Sequence, residues 1–183
     1  MKIDQVMIGL LVDKSALALL AVSSKLNEGL LMLPMVLVGM YYPHMLRLHK
    51  KVTGELIPYL GVVKRNAFII VASVYSLVFI SSDILIPTLY GPDYIQSSGL
   101  LKVQALTLFL TFYGMLASRL CVIFSCQKLV LYSNLLGLVL NVALNIVFIP
   151  IFNVYGAAIA TLLTQALTSY LFWKINPKTK KLF

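Results

Sequence analysis

The chain has 183 residues, 60% of them apolar and 11% charged, with a net charge of +9 and a mean hydropathy of +0.93. Soluble domains are about half apolar and about a quarter charged, so this chain carries more apolar side chain than one core can bury, and the excess faces lipid. The positive charge does not imply nucleic acid as a partner: the Lys and Arg residues lie between hydrophobic runs and in the tail, where membrane topology accounts for them.

A crossing needs about 20 mostly apolar residues. The first apolar stretch, Ile3–Leu11, is too short to cross alone. It reads as the end of a helix whose beginning is missing, or as an interfacial segment. Asp4 and Gln5 interrupt it and no small-residue cleavage site follows, so it is not a signal peptide. Five longer runs qualify as spans: 26–46, 66–89, 100–126, 129–151 and 156–173. The expected fold is all-α, a polytopic membrane bundle of about six crossings with the first one truncated. No linker or low-complexity segment divides residues 1–183, which read as a single transmembrane unit.

The connections alternate in charge. Arg47, His49, Lys50 and Lys51 open the longest one, 47–65, and Lys64 and Arg65 close it. The turn Gly91, Pro92, Asp93, Tyr94 has no Lys or Arg, Lys128 sits in a tight turn, and the turn at Asn153 and Tyr155 is again uncharged. The tail, 174–183, holds four lysines. The positive-inside rule puts 47–65, Lys128, the tail and Lys2 in the cytoplasm, and the other turns and residues 13–23 outside. Tyr41, Tyr42, Tyr90, Tyr94, Tyr132, Tyr155 and Trp173 fall near span ends, where amphipathic rings prefer to sit. Residues 52–63 are weakly amphipathic and are expected on the membrane surface.

Cys121 and Cys126 share one apolar run. On a continuous helix, residues five apart point about 140° apart, so the two are expected to stay unpaired as buried apolar side chains.

Ionisable groups inside a membrane are costly and are therefore functional candidates. Lys25 and Glu28 share a helix face, either as a neutralised pair or as a cation aimed at a cavity. Arg119 lies deepest, with Ser118 and Ser125 nearby. It either grips phosphate oxygens bidentately or snorkels to the interface. Lys102 is expected to anchor the opposite end of that helix. Asp83 and Asp4 are carboxylates near span ends, either solvated or able to carry a coupling proton or cation. Asn134, Asn141 and Asn145 form one polar stripe, and Thr161, Thr164, Gln165 and Thr168 a second. Such stripes more often glue helices than line a path. Gly156, Ala157, Ala158 and Ala160 signal close backbone packing, and Pro34 a kink.

Enzyme chemistry has no footing. His44 and His49 face different sides of a helix, the six acidic residues are scattered, and no phosphate loop or nucleophile elbow occurs. No cofactor or metal is implied.

Several phrases taken together resemble one family. Ile3-Asp4-Gln5-Val6-Met7-Ile8-Gly9 resembles the segment that opens the second half of polysaccharide flippases. So do Ala21-Val22-Ser23-Ser24-Lys25-Leu26-Asn27-Glu28, Leu33-Pro34 and Tyr42-Pro43. Leu89-Tyr90-Gly91-Pro92-Asp93-Tyr94 is similar to that family's external turn. Asn141 through Pro150, followed by Tyr155-Gly156-Ala157-Ala158-Ile159-Ala160-Thr161, is similar to its late signature. The resemblance covers essentially the whole chain and is nearest to the Wzx-type O-antigen and capsule flippases of the multidrug/oligosaccharidyl-lipid/polysaccharide exporter superfamily.

The resemblance implies one six-helix lobe, the C-terminal one, of a twelve-helix transporter. Such a transporter moves an undecaprenyl-diphosphate-linked oligosaccharide across the bacterial plasma membrane by alternating access, coupled to an ion gradient. One lobe cannot enclose a two-sided cavity, so an N-terminal lobe or a second copy is expected as partner, beside the bilayer and the lipid-linked substrate. Lys25 and Arg119 would then meet the diphosphate, Glu28 would balance Lys25, and Asp83 or Asp4 would serve coupling. Another exporter of the superfamily would need a deep carboxylate for cationic cargo. A membrane transferase would need clustered acids or histidines. A non-transporting membrane fragment or scaffold is the remaining alternative.

Overall fold

The computed structural model describes residues 3–11, 13–51, 54–171 and 173. The basic tail 174–183 and Lys2, read above as cytoplasmic, lie outside the described residues. Among the described residues the chain is helical throughout, with no strand. In chain order the helices are α1 (Ile3–Leu11), α2 (Lys14–Leu30), α3 (Met32–Lys51), α4 (Leu56–Tyr90), a 3-10 turn (Pro92–Tyr94), α5 (Gln96–Ala105), α6 (Thr107–Ile123), α7 (Gln127–Phe152) and α8 (Val154–Ala166). A π-helical turn, Leu167–Leu171, follows α8.

Four helical stretches are long and apolar enough to cross a membrane: Lys14–Lys51, Leu56–Tyr90, Gln96–Ile123 and Gln127–Phe152. Large side chains such as Ile80, Ile84, Val139 and Ile151 lie exposed along them, where lipid replaces water as the favourable neighbour. The chain is a helical membrane bundle.

The helices outrun the hydropathy. The span expected at 26–46 begins twelve residues earlier, at Lys14, and continues to Lys51. Residues 13–23, expected as an external segment, are mostly the first half of this helix. Asp13 caps it: its carboxylate accepts from the Ser15 N–H (3.2 Å) and from the Ser15 hydroxyl (2.7 Å). Capping oxygens of this kind satisfy donors that the first turn leaves unpaired.

The Ser15 hydroxyl, and then its N–H, hold the Asp13 carboxyl below its usual pKa. The sign follows. The cap stabilises α2 above the unfolded pKa, about 3.9, and its contribution disappears as pH falls through the lower folded value. Asp13→Ala is therefore expected to melt earlier than wild type at neutral pH. The gap should close in acid, as read by a thermal-shift series across pH.

The connection expected at 47–65 is mostly helix. α3 carries Arg47 and Lys51, and α4 starts at Leu56, so only the residues between Lys51 and Leu56 separate them. Residues 56–63 are two-faced helix: Leu56, Leu60 and Val63 are buried while Ile57 and Val62 are exposed. Lys and Arg are good helix formers, so charge marks the edge of lipid rather than the end of a helix. At 1.5 Å per residue α4 is ~52 Å long against a hydrocarbon core of ~30 Å, so the α3–α4 elbow reaches beyond it.

Two of the long stretches are broken. α2 and α3 part at Leu31, one turn before Pro34, which has no N–H to return to the Leu30 carbonyl. α5 and α6 part at Leu106. The breaks face one another across polar contacts. Asn27 donates to the Thr107 hydroxyl (3.5 Å) and Gln104 to the Ser24 hydroxyl (3.1 Å).

Two larger cores follow from this arrangement. Leu37, Val38 and Met45 of α3 pack with Leu60, Val63 and Val71 of α4 and Leu108, Phe112 and Leu116 of α6. Ile8 of α1, Leu20 of α2, Ile149 of α7 and Ala157 of α8 form the other. The small residues at 156–160 do let two backbones approach: Gly156, Ala157, Ala158 and Ala160 are buried, and a Cβ on Gly156 would run into the Phe148 carbonyl of α7.

α6 ends at Ile123 and does not continue to Cys126, because Ser125 adopts a left-handed φ of 55°. The expectation that Cys121 and Cys126 diverge on one helix fails for that reason. Their sulfurs lie 2.9 Å apart.

Candidate functional site

A polar cleft of about 430 Å³ opens between α6, α7, α8 and the π-helical turn. α6 contributes Thr111, Gly114, Met115 and Ser118, and α7 contributes Val130, Ser133, Asn134 and Gly137. Thr164 and Gln165 of α8, Thr168 and Ser169 of the π turn, and Trp173 complete it. The volume is in the range of small-molecule sites, about 300–1,000 Å³.

Local structure explains the opening. The wider π turn redirects Thr168 and Ser169 off the α8 register, and such turns concentrate at functional positions. Gly114 leaves room for it, since a Cβ there would meet the Ser169 hydroxyl. Thr111 donates to the Gln165 side-chain oxygen (3.2 Å), and Ser133 donates to the Thr168 carbonyl (3.1 Å). Among the described residues, none that lines the cleft is charged. Hydroxyls and amides there both donate and accept, and the Trp173 indole adds an apolar plate.

The two polar stripes therefore divide. Asn145 donates to Asn141 (3.1 Å) and Asn141 to Thr161 (3.4 Å), so this part of the stripes joins α7 to α8 as helix glue. Asn134, Gly137, Thr164, Gln165 and Thr168 line the cleft instead. Trp173, expected at an interface, is buried with 2% exposure.

The charged candidates are dispersed. Lys25 and Glu28 are exposed, and no ion pair joins them. Arg119 is exposed beside the Tyr42 ring, 5.5 Å from its centroid, and does not line the cleft. Asp83 pairs with Lys102 at 2.6 Å, so Lys102 is a partner for a carboxylate rather than an anchor alone. Lys102 also lies over the Phe79 ring. All six acidic residues are described, and Asp4 alone is buried, at 8% exposure, with the Gln5 N–H donating to it. His44 packs on Tyr59 and His49 on Phe124, so the histidines have separate surroundings.

Sequence reading missed the α6 wall. Its signal was present: Thr111, Gly114 and Ser118 recur at helical spacing as small or hydroxyl residues in an apolar run. The comparisons add no relative: no protein-family model, curated protein or solved structure matches the chain.

Proposed function

We propose that this bundle is one lobe of a transporter that carries a lipid-linked oligosaccharide across the bacterial plasma membrane, with its C-terminus in the cytoplasm. The reading rests on the resemblance of its phrases to polysaccharide flippases. The observation that carries it furthest is the uncharged cleft. Hydroxyls and amides also glue helices, but here they and an indole surround an open volume. Sugar hydroxyls need that mixture of donors, acceptors and an apolar plate. Lys25 and Arg119, exposed and without ion pairs among the described residues, are available to a diphosphate. Asp4 is the carboxylate suited to coupling, because Asp83 is neutralised by Lys102 and Glu28 is exposed.

An exporter of cationic drugs is the second reading. It calls for a carboxylate in the cleft, and none lines it.

The test is complementation. The chain is expressed with an N-terminal flippase lobe in a bacterium lacking its own O-antigen flippase. Asn134→Leu with Gln165→Leu, and separately Arg119→Ala, are expected to lower surface O-antigen severalfold at equal membrane abundance. Wild-type display from both variants would remove these residues from transport. Failure of the unmodified chain to restore display with any partner lobe would sink the proposal itself.

A further inference from the structure

The end of α6 is a helix-terminating motif with a chemical peculiarity. The Cys126 N–H donates to the Cys121 carbonyl (2.8 Å), and the Ser125 N–H donates to the Val122 carbonyl (3.3 Å). With Ser125 left-handed between them, these are the paired bonds of a Schellman ending. In that motif the residue just past the turn meets the residue five before it, commonly as an apolar contact. Here the two are Cys126 and Cys121, and both thiols are free, with sulfurs 2.9 Å apart. A disulfide bond is about 2.05 Å long, so closure needs a sulfur displacement of about 1 Å.

We propose that Cys121 and Cys126 are a redox modification site that closes reversibly to an intramolecular disulfide. The backbone bonds of the motif hold the pair together whatever the redox state. The two sulfurs also differ in access: Cys121 is fully buried and Cys126 half-buried. A peroxide therefore meets Cys126 first. Its sulfur attacks one peroxide oxygen, the O–O bond breaks, and Cys126 becomes a sulfenic acid as water leaves. The Cys121 sulfur then attacks the Cys126 sulfur, the S–O bond breaks, and a second water carries off the thiol proton. The two sulfurs give up two electrons, which reduce the O–O bond, and a dithiol reductant reverses the step by exchange.

The site adjoins the cleft. Cys121 packs with Ala117 and Trp173, and Cys126, Leu129 and Val130 cover them. Trp173 is the one tryptophan of the chain and lines the cleft. A disulfide is a stronger quencher of indole emission than a thiol, so Trp173 reports closure.

The experiment uses the full chain in lipid nanodiscs, exposed to hydrogen peroxide. It is then denatured and alkylated with a maleimide, digested with trypsin and weighed. Arg119 and Lys128 place both cysteines in the single peptide 120–128. The expected result is an unalkylated peptide lighter by two hydrogens. Its formation should parallel a fall in Trp173 emission, and dithiothreitol should reverse both. Cys126→Ser should lose both responses. The mass of the wild-type peptide decides the matter even if that variant does not fold. A doubly alkylated peptide after oxidation, a sulfinic acid on Cys126 with Cys121 still alkylated, or a disulfide between two chains would each overturn the proposal.

Discussion

Gly156→Val is expected to eliminate the folded bundle rather than adjust it. Gly156 opens α8 directly after the turn at Asn153, whose left-handed φ of 51° folds α8 back on α7. At this point the two helices touch backbone to backbone. A side chain at 156 would meet the Phe148 carbonyl and the Ile149 nitrogen, which belong to the main chain of α7 and cannot rotate away. Relief requires parting α8 from α7, which would strip Ala157 and Ile149 from their shared core and stretch the Asn141–Thr161 bond. Overpacking costs typically about 1–3 kcal/mol where side chains can give. A backbone collision exceeds that range. The check is size-exclusion yield and melting temperature in detergent. A monodisperse Gly156→Val protein melting with wild type would show that α7 and α8 are farther apart than described.

Asp4→Asn is expected to separate stability from activity. A carboxylate buried in a lipid-facing bundle is costly unless fully compensated, and the bond from Gln5 is its described hydrogen bond. Asparagine keeps the shape and removes the charge, so the melting temperature should hold or rise. If Asp4 takes part in coupling, gradient-driven O-antigen display should fall to near background at normal membrane abundance. Loss of both properties together would make Asp4 a structural residue. Retention of both would leave the proposed transporter without a buried coupling carboxylate.

Much of the fold was legible because lipid imposes a coarse rule. Apolar runs of sufficient length located α4, α6 and α7, and the small residues at 156–160 marked a close backbone approach that the structure assigns to α7. Helix ends were less legible. Asp13 and the Arg47–Lys51 stretch lie outside the apolar runs yet inside or at the start of helices, because capping and helix propensity act wherever the backbone needs bonds. The face that each side chain takes was hidden for another reason. Arg119 sits in the middle of an apolar run, but one-dimensional position does not state which side of a helix faces a cleft. The answer depended on the π turn that sets Ser169 against Gly114 and Thr168 against Gly137. The cysteine pair was hidden by the left-handed conformation at Ser125, a position where glycine would have announced the turn.

The facing breaks at Leu31 and Leu106 give the bundle two storeys. α2 packs with α5 on one, α3 with α6 on the other, and the unbroken α4 runs alongside as a mast. The α3–α6 storey packs with α4 around one core that also takes in Ala105 of α5, and α2 joins α1, α7 and α8 in the other, so each break turns a helix while buried side chains tie the storeys together. The amides of Asn27 and Gln104 keep oxygens unpartnered among the described residues at that landing, each open to one more donor.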